Sequence, residues 1–247
     1  MRKFGLIGFP LSHSFSKKFF SEKFANEGIS GCEYDLYPIE HIGKLSTIIS
    51  DIEFLKGLNV TIPYKLDVMP YLNEIDEAAL AIGAVNCIDI SSKNEGVFLK
   101  GYNTDAYGFE MSLTPLLNMD HKKALIFGDG GAAKAVKYVL DKLGIPFLVV
   151  SRKVSETSIS YEDITEVLLD EYTILINTTP LGMSPNYDSA PDIPYDILTE
   201  RHLAYDLVYN PEETMFLTKA KAKGAQIKNG LEMLYLQAER SWEIWNQ

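Results

Sequence analysis

The segment that decides the fold is KKALIFGDGGAAKAVKYVLDKLGIPFLVVSRK, which occupies residues 122–153. Its first six residues end in an apolar run that predicts a buried strand, and the glycine-rich stretch 128–133 follows directly. A helical pattern continues to Leu143, a Gly-Ile-Pro turn interrupts it, and the apolar run Phe147–Val150 predicts the next strand. A strand, a helix and a strand within about 30 residues predict a βαβ unit.

The glycine-rich stretch matches the pattern Gly128-x-Gly130-x-x-Ala133. The first glycine permits a tight turn, the second lets the backbone approach a pyrophosphate, and the small third residue lets helix and strand pack closely. The free N–H groups at the start of the next helix favour an anion. The pattern therefore predicts a dinucleotide site, and it explains how a chain with a net charge of −11 can hold an anionic ligand.

The end of the second strand predicts which dinucleotide is bound. Residues 151–153 read Ser-Arg-Lys and lie about 20 residues after the glycines, where an acidic residue would bind the ribose 2′-hydroxyl of NAD. Arg152 at this position suits the 2′-phosphate of NADP, and no acidic residue at the strand end competes. An Arg–Lys pair is also an ordinary solvated surface feature, but its position favours NADP.

Strand and helix patterns alternate along the rest of the chain, which predicts an α/β protein with mostly parallel sheets. The further predicted strands are 4–7, 33–37, 58–61, 86–90, 97–101, 173–177 and 204–207. The further predicted helical stretches are 14–27, 64–82 with an interruption near Pro70, 106–117, 213–223 and 230–245.

Composition excludes several classes of protein. The 247 residues are 46% hydrophobic and 23% charged, as is typical of soluble globular proteins. Acidic residues outnumber basic ones by 34 to 23, so general nucleic-acid binding is not expected. The two cysteines lie in no CxxC pair, and we expect no disulfide framework and no metal site. The chain shows no secretory signal and no membrane span, so we expect a cytoplasmic protein.

Polar side chains gather at the ends of predicted elements in the N-terminal part of the chain. They lie in four stretches: SHSFS at 12–16, NVTIPYK at 59–65, GAVN at 83–86 and GYNTD at 101–105. Each one alone is explained as a cap or a turn. Because ligands of α/β proteins bind at the carboxyl ends of strands, the four together predict a pocket for a small polyhydroxylated acid. Lys65 and Asp105 are its strongly charged members.

Together with other motifs, these stretches show that the chain resembles the shikimate dehydrogenase family over essentially its whole length. The motifs that carry the resemblance keep the family's order and spacing: SHSxS at 12–16, NVTIPYK at 59–65, GAVN at 83–86, NTD at 103–105, GDGGAA at 128–133, NTTPLGM at 177–183, YDLVYNP at 205–211 and GLEMLYLQA at 230–238. The resemblance implies an α/β substrate domain at 1–104 and a Rossmann-type NADP domain at 105–229. It also implies a cleft between them and a C-terminal helix, 230–247, that returns to the first domain.

The resemblance further implies a reaction and its residues. The reaction is the reversible NADP-linked reduction of 3-dehydroshikimate to shikimate in aromatic amino acid biosynthesis, carried out by a monomer or homodimer. Lys65 and Asp105 would be the catalytic pair. The implied substrate-binding residues are Ser14 and Ser16 for the carboxylate with Tyr209 nearby, and Thr61, Lys65, Asn86, Asp105 and Gln237 for the ring hydroxyls. The implied cofactor-binding residues are Gly128, Asp129, Gly130, Gly131, Ala132, Arg152, Thr178, Leu207 and Gly230.

The cofactor region departs from the family pattern in three ways. Asp129 replaces a common alanine in the glycine loop, and Glu156 falls near the place of a frequent second arginine. The segment 154–171 is shorter than usual, which predicts a reduced helix. We therefore expect a smaller preference for NADP over NAD than in relatives with two arginines. Two other functions stay open: a related enzyme that oxidises quinate with NAD, and a non-catalytic sensor of shikimate-like ligands.

Overall fold

The computed structural model describes residues 1–11, 14–93, 96–153 and 155–247. The chain divides into two compact units, residues 1–107 with 237–247 (unit 1) and residues 108–236 (unit 2). Ser12 and His13 of the first predicted polar stretch lie outside the described residues.

Unit 1 is built on a six-stranded mixed sheet with the order β2-β1-β3-β5-β6-β4. Its elements are β1 (Arg2–Gly8), α1 (Ser16–Asn26), β2 (Cys32–Pro38), α2 (Leu45–Asp51), β3 (Leu55–Val60), β4 (Glu74–Ile75), α3 (Glu77–Ile82), β5 (Cys87–Lys93), β6 (Gly96–Tyr102) and the start of α4 (Thr104–Leu113). The strands β1, β2 and β3 are parallel, whereas β5 is antiparallel to both β3 and β6.

The register of this sheet brings the predicted polar stretches to one edge. Ile7 near the end of β1 lies opposite Val60 at the end of β3. Asn59 lies opposite Cys87 at the start of β5, and Cys87 lies opposite Tyr102 at the end of β6. The residues that follow β1, β3 and β6, and those that precede β5, therefore share the edge where a ligand is expected.

Aromatic packing fixes the C-terminal residues to the unit 1 sheet. Phe20 of α1 stacks on Tyr34 of β2 with ring centroids 4.3 Å apart. The Trp245 indole donates from Nε1 to the carbonyl oxygen of Ile88 at 2.9 Å. Gly57 of β3 makes room for this indole, because a Cβ there would lie 2.2 Å from Nε1. The end of the chain is therefore held against β3 and β5.

Unit 2 has a six-stranded sheet in which every neighbouring pair is parallel. Its elements are β7 (Ala124–Phe127), α5 (Gly131–Lys142), β8 (Phe147–Val150), β9 (Ser158–Ile159), α6 (Glu166–Glu171), β10 (Ile174–Asn177), β11 (Leu203–Asp206), α7 (Met215–Lys221), β12 (Gln226–Lys228) and the start of α8 (Leu231–Ile244), the rest of which belongs to unit 1. The order β9-β8-β7-β10-β11-β12 is the 3-2-1-4-5-6 order of the Rossmann fold. The predicted α/β class and Rossmann-type domain are confirmed.

The helical pattern predicted over residues 64–82 is wrong for most of its length. Residues 62–68 form turns, Met69–Tyr71 form one 3-10 turn, and β4 comes before α3, which alone is helical. Pro70 lacks an amide N–H and disfavours a continuous helix. The short β4 instead pairs with β6 at the edge of the sheet.

Two smaller differences concern helix ends and one missed helix. The helix predicted at 106–117 begins at Thr104 and gives way after Leu113 to a 3-10 turn, which contains Pro115. The short α2 was not predicted. Among the described residues, none of the helices has the length and apolar character needed to span a bilayer.

Candidate active site

Lys65 and Asp105, the two residues predicted as the catalytic pair, form an ion pair in unit 1. Lys65 Nζ lies 2.6 Å from Asp105 Oδ2. Both side chains are half-buried, with 28% of Lys65 and 22% of Asp105 exposed, so solvent screens their attraction only in part. An amine held by a carboxylate in such a place can donate or accept a proton, which is the work of a general acid or base.

Backbone contacts fix both members of this pair. The carbonyl oxygen of Lys65 accepts the N–H of Val85 at 2.8 Å, just before β5. Asp105 lies in the first turn of α4, where the helix dipole favours a carboxylate. Asn103 caps that helix, because its Oδ1 accepts the N–H of Ala106 at 3.1 Å. Each side chain therefore starts from an anchored backbone.

Two of the predicted substrate-binding amides, Asn86 and Gln237, converge on Thr104. The Asn86 amide is held at both ends: its Oδ1 accepts the N–H of Thr104 at 2.6 Å, and its Nδ2 donates to Thr104 Oγ1 at 3.0 Å. The Thr104 hydroxyl also lies 3.4 Å from Gln237 Oε1, to which it donates. The residue that precedes Asp105 thus links both amides.

A chain of buried hydrogen bonds continues from Thr104. Ser241 Oγ lies 3.3 Å from Thr104 Oγ1 and accepts from Asn59 Nδ2 at 2.8 Å. Asn59 Oδ1 accepts the hydroxyl of Tyr34 at 2.8 Å. We call Tyr34, Asn59, Asn86, Thr104 and Ser241 the buried polar network; each of them is buried.

The sequence predictions missed most of this network. Asn59 and Thr104 fall in the polar stretches, but no role was predicted for them, and Tyr34 and Ser241 were not singled out. One signal was available for Ser241, which lies four residues after Gln237 and therefore on the same face of α8.

The serines predicted to bind the substrate carboxylate lie at the start of α1. Ser14 Oγ accepts the N–H of Ser16 at 3.3 Å. Burial raises the pKa of Tyr34 well above its ordinary value, although a hydrogen bond with the Ser16 side chain opposes this rise. Tyr34 therefore stays neutral and connects Ser16 to the buried polar network. Thr61 lies just after β3, close to Gly8, where a Cβ would come within 2.5 Å of Thr61 Cγ2.

In unit 2 the glycine loop connects β7 to α5, beside the point where the strand order reverses. Gly128 has a φ of +97°, in the left-handed region that favours glycine. At Gly130 and Gly131, by contrast, a Cβ would meet nothing within 4 Å. The packing of the protein itself does not require these two glycines. The space beside their backbone is open to a ligand, so the loop fits the pyrophosphate of a dinucleotide; Ala132 follows in the first turn of α5.

The predicted cofactor residues beyond the glycine loop lie after neighbouring strands. Thr178 follows β10, and both its N–H and its hydroxyl donate to the carbonyl oxygen of Phe127, at 3.0 and 2.8 Å. Leu207 follows β11, and its N–H donates to the carbonyl oxygen of Asn177 at 3.0 Å. Gly230 lies so close to Leu207 that a Cβ would come within 2.1 Å of the Leu207 carbonyl oxygen.

Arg152 follows β8, as predicted for a residue that reads the adenosine ribose, and its side chain is exposed. Its positive charge opposes the rise that burial produces in the pKa of Tyr161. Glu156 is exposed in the turn before β9. The helix α6, which follows in this segment, has only six residues. Tyr209 lies after β11 and is half-buried.

Asp129 of the glycine loop forms an ion pair with Lys137 of α5. The sequence predicted that Asp129 adds negative charge beside the pyrophosphate. Lys137 lies eight residues away and offsets that charge, a partnership that the sequence predictions missed.

A buried carboxylate ties the loops of unit 2 together. Asp206 Oδ1 accepts from Asn177 Nδ2 at 2.9 Å and from the N–H of Val208 at 3.0 Å, while Oδ2 accepts from Thr214 Oγ1 at 2.6 Å. Thr214 in turn caps α7, since its side chain accepts the N–H of Leu217. Burial raises the pKa of Asp206 to about 6, although the three hydrogen bonds oppose the rise.

Comparison with known proteins places the chain in a family. The family model for the shikimate dehydrogenase substrate binding domain matches residues 6–88. A shikimate dehydrogenase (NADP(+)) of Clostridium beijerinckii is 42% identical, over 100% of this chain and 93% of the relative. The chain belongs to the shikimate dehydrogenase family.

Solved structures agree with this assignment. A shikimate 5-dehydrogenase of Listeria monocytogenes, in complex with shikimate and NAD, matches with a TM-score of 0.86 and 27% identity over 100% of this chain and 92% of its own. The enzyme of Thermus thermophilus, in complex with NADP(H) and shikimate, matches with a TM-score of 0.84 and 29% identity over 99% of this chain and 93% of its own.

The described residues contain no group of three or more His, Cys, Asp or Glu side chains that could hold a metal ion.

Proposed function

We propose that this chain catalyses the reversible NADP-linked reduction of 3-dehydroshikimate to shikimate. The observation that carries the proposal is the Lys65–Asp105 ion pair, with 2.6 Å between Nζ and Oδ2, at the sheet edge where the hydroxyl and amide side chains gather. A sensor of shikimate-like ligands would need the amides and hydroxyls but no proton-transfer pair. The family assignment and the glycine loop agree with a redox enzyme.

Polar side chains of unit 1 bind the substrate. Ser14 and Ser16 hold its carboxylate, because the hydrogen bond from the Ser16 N–H to Ser14 Oγ keeps the two serines together at the start of α1. The family resemblance assigns Tyr209 to substrate binding as well. Thr61, Asn86 and Gln237 contact the ring hydroxyls, and Thr104 orients the last two.

Lys65 and Asp105 carry out the proton transfer. A bound NADPH would supply the hydride that the ring carbonyl carbon accepts, and NADP would accept the hydride in the reverse direction. As the carbonyl oxygen gains negative charge, the Lys65 ammonium donates a proton to it, so that an alcohol is formed. Asp105 orients the amine and holds a neighbouring hydroxyl. General acid–base assistance of this kind is worth about 10²–10⁴-fold in rate.

The glycine loop and the ends of β8, β10 and β11 hold the cofactor. Gly128 to Ala132 would cradle the pyrophosphate, and Arg152 would bind the 2′-phosphate. Thr178, Leu207 and Gly230 would line the remainder. We assign residues 1–104 with the helix 230–247 to the substrate domain and residues 105–229 to the NADP domain. The compact units differ from these bounds at residues 105–107, which lie in unit 1, and at residues 230–236, which lie in unit 2.

We place the enzyme in the cytoplasm, as a monomer or homodimer. Both cysteines are free thiols, which suits a reducing compartment. Size-exclusion chromatography with light scattering checks the oligomeric state.

Turnover assays test the proposed reaction. The purified protein is mixed with shikimate or quinate and with NADP or NAD, and reduced nicotinamide is followed by its near-ultraviolet absorbance. We expect the highest kcat/KM with shikimate and NADP. Turnover with quinate and NAD at a higher kcat/KM would contradict the assignment, and shikimate binding without any turnover would identify a sensor.

A further inference from the structure

Ser241 occupies a position where three substrate-site elements meet. Its side chain is fully buried, with 0% of the residue exposed. Its Oγ donates to the carbonyl oxygen of Gln237, on α8, at 3.0 Å. It accepts from Nδ2 of Asn59, on β3, at 2.8 Å, and it lies 3.3 Å from Oγ1 of Thr104, on α4. A single hydroxyl therefore connects α8, β3 and α4.

The donors and acceptors around Ser241 determine how the Thr104 hydroxyl is oriented. The Ser241 proton goes to the Gln237 carbonyl oxygen, so the contact with Thr104 requires the Thr104 hydroxyl to donate. Thr104 Oγ1 already accepts from Asn86 Nδ2. The single Thr104 proton thus has three acceptors within reach: Asn86 Oδ1 at 3.2 Å, Ser241 Oγ at 3.3 Å and Gln237 Oε1 at 3.4 Å. Donation to Ser241 or Gln237 directs the proton away from Asn86 and leaves the Thr104 oxygen as an acceptor for Asn86 Nδ2.

We propose that Ser241 is a positioning residue for substrate binding: its buried hydroxyl holds Thr104 and Asn59 in place, and through Thr104 it sets the orientation of the Asn86 and Gln237 amides toward the substrate. The inference rests on the proposed function, since it assigns these two amides to the ring hydroxyls. An amide turned end for end would offer a donor where an acceptor is needed, and substrate recognition would suffer.

The hydroxyl of Ser241 is not needed to dock the C-terminal segment. Trp245 packs against Gly57 and donates to the Ile88 carbonyl oxygen, and Ala238 and Ile244 are buried in the same aromatic core. Loss of the Ser241 hydroxyl therefore acts on the orientation of Thr104 and Asn59 more than on the position of α8.

The test compares Ser241→Ala with Ser112→Ala. Ser112 is a matched control: it is a buried serine on α4 in unit 2 whose hydroxyl bonds the Gly108 carbonyl oxygen one turn earlier and the Tyr205 hydroxyl, each at 2.7 Å. Calorimetry measures the Kd of each protein for shikimate and for NADP, and steady-state assays give kcat and KM.

For Ser241→Ala we expect the Kd and KM for shikimate to rise about 5- to 10-fold, as befits one lost buried hydrogen bond. kcat should fall less than about threefold, because the amides hold ground state and transition state alike. The Kd for NADP should stay unchanged, and Ser112→Ala should change neither affinity. Ser241→Cys, whose thiol is somewhat larger and bonds poorly, should weaken shikimate binding as the alanine does and serves where the alanine variant does not fold. It is measured with a thiol reductant present, because the Ser241 side chain bonds Cys87.

A double-mutant cycle identifies the route of the effect. In a Thr104→Val background, Ser241→Ala should cost less than about twofold in shikimate affinity, because Thr104 carries the effect. Fully additive losses, an unchanged shikimate Kd in both Ser241 variants, or equal weakening of shikimate and NADP would each overturn the proposal. Wild-type protein that binds no shikimate overturns the proposed function as well, whereas wild-type turnover with unaffected Ser241 variants overturns the positioning role alone.

Discussion

Each unit carries a buried polar cluster at the carboxyl edge of its sheet, and the two clusters differ in charge. The buried polar network of unit 1 consists of neutral side chains only: a tyrosine, two amides and two hydroxyls. The cluster of unit 2 is centred on the carboxylate of Asp206, which accepts from Asn177, Val208 and Thr214.

The difference follows from what each cluster supports. In unit 1 the network orients Asn86 and Gln237, the amides that we propose present donors and acceptors to the substrate. In unit 2 the proposed cofactor contacts of the glycine loop come from the backbone, so the cluster has only to tie the loops after β10 and β11 to the start of α7. A carboxylate does this with three donors at once, but it introduces a titrating group into the core.

The largest expected effect is that of removing the Lys65 amine, the proposed proton donor in unit 1. Lys65→Ala should lower kcat by about 10²–10⁴-fold while KM for shikimate changes little, since the proton is needed mainly in the transition state. Lys100→Ala is the matched control, because 30% of the Lys100 side chain is exposed against 28% for Lys65 and each amine is paired with a carboxylate. Steady-state kinetics of both variants decide. A Lys65→Ala enzyme that keeps more than about a tenth of wild-type kcat excludes the proton-donor role.

The sequence predicted which polar stretches gather at one edge of the unit 1 sheet, but not the contacts between their side chains. The stretches that contain Lys65 and Asp105 follow β3 and β6, which both end at the same edge of the sheet, and Gly128 is flanked by a strand and a helix. The helix predicted at 64–82 failed because β4 pairs with β6, a long-range contact that local periodicity does not register. Ser241 and Tyr34 were missed for a related reason. Both bond Asn59, which is distant from each of them in the chain, and the local sequence pattern does not show such a partner.

The second prediction concerns the carboxylate of unit 2. The pKa of Asp206 is about 6 in the folded state, whereas it is about 4 in the unfolded chain. Between these values the folded state binds more protons, so this contribution to stability is complete below about pH 4 and is lost as pH rises toward 6. Relative to Asp206→Asn, the free energy of unfolding of the wild type should fall by about 2–3 kcal/mol from pH 4 to pH 7.

Urea unfolding of both proteins over this pH range measures the difference. Asp196→Asn is the control with the opposite sign, because its hydrogen bond with Lys223 lowers the pKa of Asp196 and its contribution is lost as pH falls. If the free energies of unfolding of the wild type and of Asp206→Asn differ by the same amount at pH 4 and at pH 7, the pKa of Asp206 is not raised. The contrast between a titrating cluster in unit 2 and a neutral one in unit 1 would then be wrong.

The third prediction concerns Arg152, the cationic side chain of unit 2 that is expected to bind the cofactor. Charge-assisted hydrogen bonds contribute roughly 1.5–3 kcal/mol, so Arg152→Ala should weaken NADP binding by about 10- to 100-fold and leave NAD binding nearly unchanged. Arg201→Ala, which removes an arginine paired with Asp170 elsewhere in unit 2, should change neither. The measurement is kcat/KM for both cofactors. Equal weakening of NADP and NAD would show that Arg152 does not read the 2′-phosphate.

The smallest effect concerns the charge that the glycine loop itself carries. Lys137 pairs with Asp129, and both side chains are partly exposed, so their interaction is weak and screened by salt. Lys137→Ala leaves the Asp129 charge unopposed beside the pyrophosphate and should raise the Kd for NADP about two- to fivefold at low ionic strength, and less at high salt. If Lys137 acts only by offsetting Asp129, the same substitution in an Asp129→Ala background should have no effect on NADP binding. Calorimetric titrations of the wild type, both single variants and the double variant at two salt concentrations complete this cycle. If Lys137→Ala raises the Kd for NADP by the same factor in the Asp129→Ala background, Lys137 attracts the cofactor directly. Unit 2 would then use a charged side chain for its ligand, as unit 1 does with Lys65 and Asp105.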